Sequence, residues 1–171
     1  MKLYIKSILS LGVIITMAMT SCKKDNVSLE NNFPDVPVTV TNKIGIFTAP
    51  AVSTSFSGGG AIKIVLEIPA SSGRTIKEIT KVAAGTAYGS VQATTGLYVT
   101  GPIAGTGTTS ITFNTTLEEY RVKTNTSVTT MPTAATSGTA TSFLARNFYF
   151  MITLDNGQVI VPTYVRVYVD K

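Results

Sequence analysis

The chain has 171 residues, with 14 Lys and Arg against 9 Asp and Glu, a formal net charge of +5, one cysteine, no tryptophan and no histidine. Without histidine, the side chain that most often serves as general base near neutral pH and as transition-metal ligand is missing, and without a second cysteine no intramolecular disulfide can form. The basic residues are scattered, with no cluster beyond Lys23-Lys24 and no interleaved aromatics, so the electrostatic footprint of nucleic-acid binding is absent.

The first 21 residues read as a helical export signal. Lys2 and Lys6 supply a positive start, and Ile8 to Met19 form an apolar run too short to cross a hydrocarbon layer of about 30 Å. Met19, Thr20 and Ser21 place three uncharged residues before Cys22, which has no disulfide partner and is expected to carry lipid. Ser21-Cys22-Lys23-Lys24-Asp25 resembles the processing site of Bacteroidota-type outer-membrane lipoproteins. That resemblance implies cleavage before Cys22, acylation of its sulfur and attachment to the outer membrane, on the periplasmic face or the cell surface. Membrane lipid is then the first partner, and each buried methylene of the acyl chains contributes about 0.8 kcal/mol to the anchor. The alternative is an ordinary signal cut near Ala18, with Cys22 left as a thiol.

Removal of residues 1–21 takes away Lys2 and Lys6 and leaves 150 residues with a net charge of +3, 12 basic against 9 acidic. One domain of that size buries roughly 68–70% of its unfolded surface. Residues 22–38 are polar and proline-bearing, through Asn31-Asn32-Phe33-Pro34 and Val36-Pro37, and read as a lipidated N-terminus and flexible tether; residues 39–171 read as the folded domain. Threonine, at 28 residues, favours strands because branched side chains are stiff and pack well on a pleated surface.

In chain order, Lys43 to Thr48 alternates as a strand and Gly58-Gly59-Gly60 marks a turn. Ala61 to Ile68 is a half-buried strand with Ile62, Ile64, Leu66 and Ile68 on one face and Lys63 and Glu67 on the other. Arg74 to Ala83 is a strand or a short helix, since Ile76, Ile79 and Val82 recur every third residue. Leu97 to Thr100 and Ser110 to Asn114 supply two short strands. Thr124 to Ser142 is a long run of Thr, Ser, Ala and Gly that reads as a contact loop, a flexible insertion or a pair of weak strands. Phe148 to Leu154 leads through Asp155-Asn156-Gly157-Gln158, expected as a type I′ turn, to a returning strand Val159 to Val169. On that strand Val159, Val161, Val165, Val167 and Val169 share one face and Tyr164, Arg166 and Tyr168 the other. Pro162 interrupts the ladder, as where a terminal strand changes sheets.

The pattern predicts an all-β fold, an antiparallel β-sandwich of about seven strands, with a small barrel as the alternative. The terminal hairpin resembles the last two strands of immunoglobulin-like or fibronectin type III-like domains, though without the cysteine and tryptophan landmarks of antibody domains. Catalytic chemistry is sparse. Glu67, Glu78, Glu118, Glu119 and Asp155 could pair for glycoside hydrolysis, but Glu118 and Glu119, if on a strand, point to opposite faces. No loop gathers the oxygen ligands of a calcium site, and Gly101 to Gly107 lacks the Lys and Ser/Thr of a phosphate loop. The expectation is a lipid-anchored, non-enzymatic module that needs no cofactor or metal. It binds a glycan or a protein, with Tyr164, Arg166 and Tyr168 as the candidate contact. The alternative is a structural or accessory subunit of a surface assembly that uses its strand edges.

Overall fold

The computed structural model describes residues 36–126 and 143–170; Cys22 and most of the Thr124 to Ser142 segment lie outside them. The fold is all-β. Nine strands are described: β1 (Thr39–Val40), β2 (Ala51–Ser55), β3 (Ala61–Glu67), β4 (Ile76–Gly85), β5 (Ile103–Ala104), β6 (Ser110–Thr116), β7 (Asn147–Leu154), β8 (Val159–Ile160) and β9 (Arg166–Asp170). Two short α-helices, α1 (Gly89–Gln92) and α2 (Leu117–Thr124), and one 3-10 turn (Ala70–Ser72) lie among them. The sheets run β1-β3-β6, β5-β4-β7-β8 and β2-β9; only the β2-β9 ladder is parallel.

The β3 strand follows its alternation. Ile62, Ile64 and Leu66 are buried while Lys63 is exposed, and β3 pairs with β6 along its whole length, from Ala61 opposite Thr116 to Glu67 opposite Ser110. On β6, Ile111, Phe113 and Thr115 turn inward in the same way. The β4 strand settles the three-residue spacing of Ile76, Ile79 and Val82 in favour of a strand. Its register against β7 shifts between Ile76 and Glu78 and again between Ile79 and Lys81, each shift adding one β4 residue. An extra residue turns the next side chain to the face it would otherwise miss. Ile76, Ile79 and Val82 therefore all face the core, opposite Leu154, Ile152 and Phe150.

One main core collects the apolar faces of all three sheets, including Ile64 and Phe113, Ile79 and Phe150, and Val52, Val167 and Val169. Phe113 meets both Phe148 and Phe150 at 5.5 Å between ring centroids, so aromatic edges tie the β6 face to the β7 face. A smaller cluster on the other side of β4 and β7 holds Ala83, Tyr149 and Val91 of α1.

Several expectations are corrected. Lys43 to Thr48 is not a strand. Thr41 still bonds to β3, and the Asn42 side chain bonds the backbone of Lys63 and Val65, after which the chain leaves the sheet with Gly45 at φ +62°. Only Ile44 makes a bridge, to Ala51, and the strand proper is β2. Leu97 to Thr100 reduces to one bridge, Val99 to Val82, and β5 follows it. Val36 is buried in the core with Val40, so the chain is already packed three residues before β1.

Glu118 and Glu119 lie on a helix rather than a strand. Thr116 caps α2 by accepting a hydrogen bond from the Glu119 N–H, and Leu117, Tyr120 and Thr124 form its buried face. The turn after β7 is not type I′, because φ is positive at Gly157 alone and Asn156 keeps a negative φ. The Gly157 N–H bonds Leu154 O and the Leu154 N–H bonds Gln158 O, the arrangement of a three-residue connection with glycine in the left-handed position.

The returning segment divides at Pro162, as its proline foretold: β8 pairs with β7, and β9 pairs with β2 in another sheet. The break also resets the phase. Val159 is 56% exposed and Ile160 is buried, whereas Val165, Val167 and Val169 are buried, so the five valines do not share one face.

Candidate functional site

The stretch from Val161 through β9 carries the three residues singled out in the sequence, and the structure distributes them between two aromatic clusters. Tyr164 lies in the break before β9. Its ring sits 5.6 Å from Tyr149 and 6.0 Å from Tyr88, and Tyr88 meets Tyr149 edge-on at 5.2 Å. Tyr149 is buried, Tyr164 half-buried and Tyr88 43% exposed, so the three rings step from the small core to solvent. Helix α1 positions Tyr88 at its N-terminal end. It packs so closely on the end of β4 that a Cβ on Gly85 would meet Ser90 Oγ at 2.2 Å.

Arg166 and Tyr168 belong to the second cluster. The Arg166 guanidinium lies 3.7 Å from the centroid of the Phe143 ring, close enough for a cation–π contact. Tyr168 meets Phe143 edge-on at 5.3 Å, and Phe47 meets it from another side at 5.5 Å. Ile46, beside Phe47, is fully exposed. A cleft of about 180 Å³ borders this cluster, lined by Val38, Thr39, Val40, Lys43, Phe47 and Thr48 on one side and Pro162 and Thr163 on the other. Its lining carries one ammonium, that of Lys43, and no carboxylate.

A third polar grouping sits at α2. The Tyr98 hydroxyl is 2.6 Å from Thr115 Oγ1, which donates to Glu119 at 2.8 Å; Glu119 also pairs with Lys123 at 3.1 Å, and the Lys123 ammonium lies over the Tyr98 ring. Burial pushes the Tyr98 phenol up to about 12, against the Thr115 hydrogen bond, and the negative Glu119 adds to the rise. Glu119 is held below the usual carboxylate range by the Thr115 hydrogen bond first and Lys123 second. Glu118 is lowered by its hydrogen bonds from Arg121. Both carboxylates are engaged by cations on their own helix, pairs that support α2 itself.

The Tyr120 hydroxyl accepts from the Arg146 N–H at 2.9 Å and donates to Arg146 O at 3.4 Å, and burial raises this phenol. The α2 helix is thus pinned to the start of β7.

Among the described residues, no three His, Cys, Asp or Glu gather as metal ligands, and no helix is long and apolar enough to cross a membrane. No protein-family model, curated protein or solved structure matches the chain.

Sequence reasoning missed Phe47, Phe143, Tyr88 and Tyr149, which complete the two aromatic clusters. No periodic signal joins them, because they come from separate loops and strands. The α2 helix did leave a signal: Thr116-Leu117-Glu118-Glu119 has the Ser/Thr-x-x-Glu spacing that announces a helix start.

Proposed function

We propose that this chain is a lipid-anchored, non-catalytic binding module of the cell envelope, moored to the outer membrane through acylated Cys22. The mooring rests on the leader and the Ser21-Cys22-Lys23-Lys24-Asp25 pattern. The folded part is read as an immunoglobulin-like sandwich. Support comes from strand order: β1-β3-β6 corresponds to A-B-E and β4-β7-β8 to C-F-G, with β9 continuing the last strand into the ladder with β2. Between β6 and β7, the hydroxyl of Tyr120 on α2 holds the backbone of Arg146 at the start of β7.

The single observation that carries the binding role is the step of three tyrosines, Tyr88, Tyr149 and Tyr164. Stacking area with hydroxyl tips is what a sugar ring or a protein hot spot engages, and a buried Tyr149 braces the exposed Tyr88 and the half-buried Tyr164 at little entropic cost. A glycan array and a proximity-labelling screen with the intact lipidated chain test this reading. The expected result is a ligand whose binding falls at least tenfold in Tyr88→Ala and Tyr164→Ala; a ligand indifferent to both substitutions refutes the assigned face.

A second reading, as a subunit of a surface assembly, is favoured by one observation. Three sheet-edge strands, β1, β5 and β8, have two residues each, whereas β6 has seven, no charge and no proline, and its outer edge has no strand partner among the described residues. Asn114→Lys on that edge distinguishes the two readings, since it disrupts strand addition and leaves the tyrosines alone.

A further inference from the structure

We infer that the loop between β1 and β2 is a membrane-contacting wedge: Ile46 and Phe47 enter the boundary of the phospholipid layer, with Lys43, Arg166 and Tyr168 at headgroup level. The inference rests on the lipid anchorage proposed above and adds an orientation to it.

Three observations lead to the lipid surface as the occupant. The first is the chemistry of the patch. Ile46 is 105% exposed and Phe47 45% exposed, side by side at the tip of a loop. A fully solvated isoleucine next to a half-solvated phenylalanine is an unfavourable use of apolar surface in water, and contiguous exposure of this kind marks a contact site. Around it stand a lysine, an arginine held over Phe143 and a tyrosine edge-on to the same ring. Cations with aliphatic stems and phenols with polar tips are the residues that suit the headgroup zone, where one end of the side chain is dry and the other wet. Residues 36–50 contain no Asp or Glu, so the loop itself carries no charge that repels anionic headgroups.

The second observation is that the loop is shaped rather than slack. Gly45 sits at φ +62°, and a Cβ on it would fall 2.6 Å from the Phe47 ring, so the glycine both makes the turn and admits the ring against its backbone. Phe47 is then braced edge-on by Phe143. The brace turns Phe47 sideways and leaves Ile46 as the projecting residue.

The third is the covalent reach of the anchor. Val36 lies fourteen residue steps after Cys22, at most about 50 Å of chain when fully extended. Val38 and Thr39, where the chain enters the domain, line the same cleft as Lys43 and Phe47. An acylated Cys22 keeps this end of the domain within that reach of the bilayer, and the wedge loop is next to the point where the tether enters. At such an effective concentration, a small apolar wedge suffices to fix orientation, because it only has to act as a second, intramolecular attachment.

The absence of native tryptophan makes the test direct. The full lipidated chain carrying Ile46→Trp is reconstituted in phosphatidylethanolamine and phosphatidylglycerol vesicles, with and without brominated acyl chains, and compared with Phe56→Trp in the same vesicles. Both sites are exposed, so neither substitution disturbs the core. The expected result is blue-shifted emission for the residue-46 probe, with at least twofold quenching by bromine, and an unquenched probe at residue 56. Vesicles that float with the protein bound while the residue-46 probe stays unquenched overturn the wedge and leave the anchor standing. A blue-shifted but unquenched probe means that a protein surface, a second copy or a partner, covers the loop, and also overturns it. Failure of the protein to float with vesicles overturns the anchorage and the wedge together.

Discussion

Removing one oxygen at the α2 corner separates packing from hydrogen bonding. Tyr120 is fully buried, and its hydroxyl accepts from the Arg146 N–H at 2.9 Å and donates weakly to Arg146 O at 3.4 Å. The 3.4 Å contact is too long to add much, so the firm bond dominates. Tyr120→Phe removes it and leaves the Arg146 N–H without its protein partner, at a combined cost of about 1–2 kcal/mol. Tyr120→Ala also empties the ring's place beside Phe148 and is expected to cost roughly 3–5 kcal/mol. Urea denaturation followed by far-UV circular dichroism measures both, with an unchanged slope confirming that only stability has moved. In thermal scans, Tyr120→Phe lowers Tm by roughly 3–8 °C. A Tyr120→Phe protein within about 0.3 kcal/mol of the parent would show that the hydroxyl does not hold α2 to β7, and equal losses for Phe and Ala would show that the ring is not packed.

Other expectations are simpler to state. Tyr98 has its pKa raised in the folded state, so its contribution is fully present below pH 10 and is lost as pH rises toward about 12; a drop in stability over that window, abolished by Tyr98→Phe, is the expected titration result. Glu119 is lowered in the folded state, so its contribution is present above its ordinary pKa and fades as pH falls through the folded value. Glu119→Gln flattens the acid limb of the stability curve, and an unchanged limb argues against the Thr115 contact. Thr116→Ala removes the α2 cap and costs about 1 kcal/mol by urea denaturation. In Gly105→Ala the new methyl would stand 2.3 Å from Ile76 O, so destabilisation of at least about 1–3 kcal/mol is expected; a neutral effect would mean that the β5 approach to β4 is looser than described.

Local pattern sufficed for the elements whose neighbours obey the same period. The alternation of Ile62, Ile64 and Leu66 and of Phe148, Phe150, Ile152 and Leu154 marks strands whichever sheet they join, because a one-face apolar strand has one way to bury itself. Pro162 announced the division of the last strand for a backbone reason, its missing N–H. The reading of residues 1–21 as an export leader and of Cys22 as a lipid attachment site rests on linear order alone.

Tertiary structure alone decided what depends on register and on distant partners. The two bulges of β4 convert a three-residue spacing into a single buried face, and nothing in Ile76, Ile79 and Val82 themselves distinguishes that outcome from a helix. The phase differs on the two sides of Pro162, with Val159 outward before it and Val165, Val167 and Val169 inward after it, since the two halves of the segment answer to different sheets. Tyr164 and Tyr168, four residues apart, came to separate clusters because their ring partners, Tyr88 and Tyr149 for one and Phe143 for the other, arrive from elsewhere in the chain. Periodicity is a property of one segment, whereas a binding surface is assembled from several, and only the packing of sheets brings those segments to the same place.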